Sequence, residues 1–308
     1  MAPYAMVAAL VVIGAILIPS FLTWPSIRSV LVIAAFLGIA SIGQTLVIIL
    51  GGIDLSIPAV IGIANVLTIQ FYGQGWDFAV VLIVVLALSL FIGAVNGAIS
   101  RAIHAHPLIV TLASGSIVGG VTLLIAQGNS IGSTPPWLTN VVSPGGTLFG
   151  LGLPPLILVW ALIATAIIFV QRRTAYGRRL YAEGSNPTAA SLALVRRAPL
   201  WIATYALSGL FAGVGGILLS GFSSGADPNI GDPYLFLSIG AVVIGGTSLL
   251  GGRGGYGRTI AGVLTVTILS NILIGKGFTG SAQQFVLGAL IILLVAVAGR
   301  QPKVRSLI

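Results

Sequence analysis

Ten runs of apolar residues, none holding an Asp, Glu, Lys or Arg, follow one another along the chain. They are Ala5 to Leu22, Val30 to Leu50, Ile57 to Tyr72, Phe78 to Ser100, Leu108 to Ala126, Leu153 to Val170, Trp201 to Ser220, Leu235 to Leu250, Thr259 to Ile274 and Phe285 to Ala298. A straight helix needs about 20 such residues to cross a bilayer, and a helix satisfies its own backbone there. The pattern predicts an all-α, polytopic transmembrane bundle of about ten spans. Several runs are shorter than that length, so they extend into their flanks or belong to broken or re-entrant helices. Of the residues, 57% are hydrophobic and 6% charged, too few polar groups to cover a globule in water. No long polar stretch sets off a second unit, so residues 1–308 read as one membrane domain. The first run has no basic flank before it, and Ile18, Pro19 and Ser20 are a poor cleavage site, so it is read as the first span.

Charge supplies the orientation. Ten spans put both termini on one side. The connections assigned to that side, with the C-terminal tail, hold Arg101, Arg172, Arg173, Arg178, Arg179, Arg196, Arg197, Arg253, Arg258, Arg300, Lys303 and Arg305. Only Arg28 and Lys276 fall opposite. The positive-inside rule makes the crowded face cytoplasmic, with both termini on it. The net charge of +9 is spread over short loops without a continuous basic face or interleaved aromatics, which excludes nucleic acid as the partner and leaves membrane lipid. With no cysteine in the chain, disulfides and thiolate metal sites are excluded.

Little in the sequence performs covalent chemistry. The Gly275–Lys276 pair is followed by Gly277 instead of Ser or Thr, so there is no Walker A loop, and ATP, if used, binds another chain. The glycines from Gly251 to Gly257 follow an apolar run and read as a turn, not a phosphate cradle. His104 and His106, two apart with no neighbouring acid or cysteine, do not complete a metal set. No nucleophile has a base, so no catalytic residue and no metal ligand is assigned.

Three features remain. Gly51, Gly52, Asp54 and Ser56, followed by Pro58, interrupt two apolar runs; Asp and Ser there fit a capped turn, and also contact with a substrate. Uncharged polar residues inside spans, Gln44, Asn65, Gln70, Asn96, Thr111, Ser114 and Asn271, are the candidates for a pathway or for bonds between helices. Because no acid or base lies within a span, coupling to protons or sodium through buried ionisable groups is disfavoured, and a neutral substrate fits. The longest basic connection, 171–200, carries six arginines and Glu183, and Asn186 with Pro187 predicts the start of a short helix. Gly115 to Gly119 and Gly209 to Gly213 have the spacing of close helix packing. The segments Leu50 to Ala64 and Ile244 to Ala261 loosely resemble each other as a duplicated design.

Gly43 to Ser56 (GQTLVIILGGIDLS), Tyr176 to Val195 (YGRRLYAEGSNPTAASLALV) and Val243 to Gly255 (VIGGTSLLGGRGG) resemble, in order and spacing, the signatures of permease subunits of bacterial ribose-type ABC importers. The resemblance implies two permease subunits, identical or homologous, two ATPase subunits that bind ATP and Mg, and a periplasmic or lipid-anchored sugar-binding protein. The location it implies is the bacterial inner membrane. This chain itself would bind no cofactor and would not be an enzyme. Carried over, Tyr181, Glu183, Gly184, Asn186, Ala189 and Ala190 become residues that couple to the ATPase. Gly51, Gly52, Asp54, Ser56, Gly245, Gly246, Gly251 and Gly252 become the helix-break signature. Ile57, Pro58, Ala59 and Glu183 depart from the family's common residues. The rivals are a related permease for branched-chain amino acids or nucleosides, and an ATP-independent facilitator.

Overall fold

The structure is a computed structural model, described here for residues 2–103, 106–126, 132–147, 152–223, 225–283, 285–286 and 288–289. Its helices are α1 (Ala2–Leu17), α2 (Trp24–Leu50), α3 (Ile57–Gly73), α4 (Phe78–Ala102), α5 (Pro107–Ala126), α6 (Pro136–Val142), α7 (Pro155–Arg173), α8 (Ala175–Ser185), α9 (Pro187–Leu192), α10 (Arg197–Ser223), α11 (Pro233–Ile244) and α12 (Tyr256–Gly275). No strand occurs among the described residues. Six helices, α2, α4, α5, α7, α10 and α12, are long and apolar enough to cross a membrane, and α1, α3 and α11 are shorter apolar helices. The tenth apolar run lies mostly outside the described residues, as do His104, Arg300, Lys303 and Arg305.

Helix α2 occupies the middle of the bundle: 94% of its apolar window is buried, against 17% for α5. A helix that is apolar all round belongs inside, where every face meets protein. Around α2 pack α10, α12, α11, α7 and α8, while α10 also lies along α3 and, over its longest contact, α4. Small residues allow that approach. A Cβ at Gly93 would strike the carbonyl oxygen of Tyr205, and one at Gly209 that of Ser89, so α4 and α10 touch backbone to backbone. Gly213 meets the Ser89 side chain, whereas Gly119 of the other spaced pair faces open space. The two glycine patterns therefore do different work.

Helix ends follow local chemistry. Asp77 caps α4 by accepting from the Ala79 N–H at 2.8 Å, and Asn186 caps α9 by accepting from Thr188 and Ala189 at 3.0 Å each, as its place before Pro187 predicts. Helix α2 stops where Gly51 turns left-handed at φ 99° and donates to the Ile48 carbonyl. Helix α11 stops at Ile244, six residues short of the apolar run Leu235 to Leu250. Gly246 there has φ 84°, a conformation that ends a helix whatever the hydropathy of the residues after it.

Candidate functional site

The helix break after α2 is built around Asp54, which is 1% exposed. Its Oδ1 accepts from the Ser56 backbone N–H (2.9 Å) and the Ser56 hydroxyl (2.6 Å), and its Oδ2 accepts from the Ser208 hydroxyl of α10 (2.7 Å). Asn96 of α4 donates to Ser56 Oγ at 2.9 Å, and Thr111 of α5 accepts from the Leu55 N–H at 3.0 Å. One short segment thus ties four helices together. Ser56 does not cap α3 with its side chain; its hydroxyl is spent on Asp54, so Asp54 forms the local turn and Ser56 connects it to α4. The Tyr205 ring of α10 closes over Gly52, where a Cβ would strike the phenol oxygen.

The second break, between α11 and α12, lies against the first. Gly252 donates to the Ile49 carbonyl at 2.9 Å, and a Cβ at Gly251 would come within 3.1 Å of Gly51 Cα. The basic connection completes the cluster. Gly184 of α8 fits between Ile49 and Gly252 so closely that a Cβ would strike the Ile49 carbonyl. Tyr181 donates to the Gly254 carbonyl at 3.1 Å, and Ser185 to the Gly252 carbonyl at 3.4 Å. Gly51, Gly252 and Gly184, widely separated in sequence, therefore form one junction. Gly251, Gly252, Gly254 and Gly255 all have φ in the left-handed range, which no side-chain-bearing residue adopts without strain.

Glu183 faces inward. It is fully buried, and its Oε1 accepts from Arg197 Nε (2.7 Å) and Trp201 Nε1 (3.0 Å) of α10. Trp201 stacks on Tyr205 with ring centroids 6.0 Å apart, which continues the contact toward Gly52. Tyr176 shares a 3.0 Å hydrogen bond with Thr204, and burial pushes its phenol up to about 12, so it stays a neutral partner. Burial likewise raises Tyr181, with Arg172 and Arg258 pulling the other way. Ala190 is buried, while Asn186 and Ala189 are exposed.

Two concave surfaces lie beside the Asp54 break, one reaching Leu55 and the other Asn96. The larger, about 920 Å³, runs between the start of α3, the side of α5 and the approach to α11, with Ser116, Asn229, Asp232, Ser270 and Gln283 among its lining residues. The smaller, about 440 Å³ and almost wholly apolar, lies between α4 and α5 and includes Asn96 and Ser114. None of the seven polar residues singled out in the spans lines the larger groove. Gln44 and Asn65 are fully buried; the Asn65 Oδ1 accepts from the Asp227 N–H at 3.0 Å, and both amide atoms of Gln44 lack a described partner. Asn271 is half-buried on α12. Asn229 and Asp232 lie beyond the apolar runs, in a loop that hydropathy passes over.

A profile of the family described as "Branched-chain amino acid transport system / permease component" matches residues 26–295. The chain belongs to this permease family, whose members are multi-pass inner-membrane proteins. Among curated relatives, the ribose import permease of Bacillus subtilis strain 168 is 32% identical, over 96% of this chain and 90% of its own. The fructose import permease of Rhizobium meliloti is 33% identical over 95% and 82%. The galactofuranose transporter permease of Escherichia coli K12 is 35% identical over 87% and 77%. No solved structure gave a significant match.

Proposed function

We propose that this chain is the membrane subunit of an ABC importer that carries a monosaccharide inward, with ATP and Mg bound and ATP hydrolysed on a separate chain. The observation that carries the reading is the junction of Gly51, Gly252 and Gly184, where the basic connection is wedged against both helix breaks. Movement of α8 by a partner is felt at once by the ends of α2, α11 and α12. The sugar relatives named above favour a sugar over the branched-chain amino acid of the family's description.

The arrangement of the faces supports ten spans with both termini cytoplasmic. Tyr4 donates to the Gly257 carbonyl at 2.7 Å, which brings the N-terminal end of α1 beside the start of α12, where Arg258 lies, and the preceding loop with Arg253. That loop touches α8, so these arginines and the six of residues 171–200 lie on one face. At the other end, Gly275 closing α12 lies against Ile18 after α1. Lys276 follows it there. Six long and three shorter apolar helices among the described residues, with the run from Phe285 to Ala298 counted from its sequence alone, support a count of ten.

The larger groove supplies the wall of a path. Asn229, Asp232, Ser116 and Gln283 offer the donors and acceptors that sugar hydroxyls exchange as they leave water. A second permease subunit would close the groove's open side, and a sugar-binding protein would deliver cargo to its outer end. Uptake of labelled sugar into proteoliposomes holding the complex tests the proposal: it requires the binding protein and ATP. Uptake that survives a hydrolysis-dead ATPase, or that this chain supports alone, overturns it in favour of a facilitator.

A further inference from the structure

The three most exposed large apolar residues among those described are Leu250 (91%), Leu194 (88%) and Leu192 (80%). None lies on the side of a long helix, where lipid would cover it. Leu192 ends α9, Leu194 follows it, and Leu250 is at the tip of the loop from α11 to α12. The loop's Gly252 rests against Ser185, two residues before α9 begins, so Leu250 and α9 share a surface.

These leucines are held out, not left loose. The Leu250 N–H donates to Ser248 Oγ at 3.2 Å, Gly251 to the Ser248 carbonyl at 3.1 Å, and Ser248 to the Arg253 carbonyl at 3.0 Å. Gly252 and Gly254 are then pinned to α2 and α8. Leu194 has φ 59°, the one positive φ outside glycine among the described residues, a conformation that costs a branched side chain and persists only where surroundings impose it. The flanking charge is of one sign. Arg196 and Arg253 are exposed beside the leucines, while Asp54 and Glu183, the acids nearest this junction, are buried.

From this we infer that the α11–α12 loop is a second docking element for the ATP-hydrolysing subunit, with Leu250 seated in an apolar slot of that subunit and Arg253 against an acidic rim. It stands beside α9, which ends at Leu192 and is followed by Leu194. The inference rests on the importer reading above and adds a contact outside the connection 171–200. A rigid, strained display of leucines suits a shaped protein pocket; an anionic bilayer would accept the same leucines on any mobile segment, without the hydrogen bonds that fix this loop. Because the loop is bonded to the Ile49 carbonyl, a pull on Leu250 reaches the end of α2 without passing through α8.

The chain has no cysteine, so Leu250→Cys provides a single thiol for a photo-crosslinker, on a side chain too exposed to matter for folding. In nanodiscs of defined anionic lipid content, with the ATPase subunit of its importer added, the crosslink goes to that subunit. In the same nanodiscs Leu250→Asp weakens retention of the ATPase about tenfold, as loss of a central apolar contact does. A crosslink to lipid or only to the permease, or retention within about threefold of the parent for Leu250→Asp, overturns the docking role. Where the parent permease binds the ATPase but the variant binds equally well, the importer reading stands and this inference falls. Where the parent retains no ATPase, both fall.

Discussion

Ser208 donates its hydroxyl to Asp54 across 154 residues of chain, at 2.7 Å, in a site that water does not reach. The bond fixes α10 to the end of α2 at the point where Asp54 also gathers the N–H and hydroxyl of Ser56. Asp54→Ala leaves three donors without an acceptor in a buried place, at about 1–3 kcal/mol for each group that finds no substitute. Ser208→Ala removes one bond and leaves the carboxylate its other two, at about 1–2 kcal/mol. Thermal unfolding of the detergent-solubilised protein is expected to show Asp54→Ala far below the parent and Ser208→Ala slightly below it. Equal midpoints for the two would remove Asp54 from its place as the hub.

Gly184 and Gly119 make a matched pair for testing the junction. A Cβ at Gly184 strikes the Ile49 carbonyl, and one at Gly119 meets nothing. Gly184→Ala must push α8 off the end of α2, because backbone atoms on both sides cannot yield as a flexible side chain can. We expect sugar uptake by Gly184→Ala to fall more than about tenfold with normal membrane insertion, since a small misplacement is amplified where geometry carries function. Gly119→Ala, whose Cβ enters the larger groove, should keep the parent's membrane insertion, thermal stability and retention of the ATPase, as substitutions into open space usually leave packing unchanged.

The long apolar helices were legible because a run without charge has one solution in lipid. The Asn186 cap was legible because its partners lie two and three residues away. The partners of Asp54 divide the same way: Ser56 is local, and Ser208 becomes visible only when α10 is folded back along α2. Leu235 to Leu250 reads as one run since Thr247 to Leu250 carry no charge, yet Gly246 ends the helix through its backbone. Nor does hydropathy tell which side of an apolar helix opens on a groove. Gln44 sits fully buried in α2 while Asn229 and Asp232, in a loop, line the cavity.

Glu183 stands among six arginines in the basic connection, and its burial comes from Arg197 and Trp201, which arrive with the next long helix. Glu183 is fully buried while Arg197 keeps 30% of its side chain exposed, so Glu183→Ala removes two hydrogen bonds and leaves the Trp201 N–H without its acceptor, while Arg197 turns to water. It is expected to cost about 1–3 kcal/mol of stability, and Glu183→Gln less, because its amide oxygen still accepts from Trp201. Asn186→Ala loses only the cap of α9, about 1 kcal/mol, from a helix of six residues. In reconstituted complexes, both Glu183→Gln and Asn186→Ala should hydrolyse ATP at the basal rate with sugar uptake reduced. Parental stimulation of hydrolysis by loaded binding protein in both would remove these residues from the coupling.

Asp232 and Asn229 stand on the approach to α11, in the wall of the larger groove, with no intramolecular salt bridge formed by Asp232 among the described residues. Their side chains are exposed, so replacing them leaves the packing of α11 intact, and any loss is a loss of contact with the cargo. Each sugar hydroxyl that gives up water regains about 1 kcal/mol from a well-placed partner. Asn229→Ala and Asp232→Ala should therefore each lower the rate of uptake about fivefold at limiting sugar. Retention of the ATPase on the permease should not change, because the groove and the Gly184 junction are built from different residues. Asn65→Ala is the contrasting variant: it frees the Asp227 N–H that Asn65 holds at 3.0 Å, so it should lower thermal stability by about 1 kcal/mol or more. If uptake instead follows Asn65 while Asn229 and Asp232 are silent, the cargo runs through the buried centre of the bundle and the groove is only a seat for the second subunit.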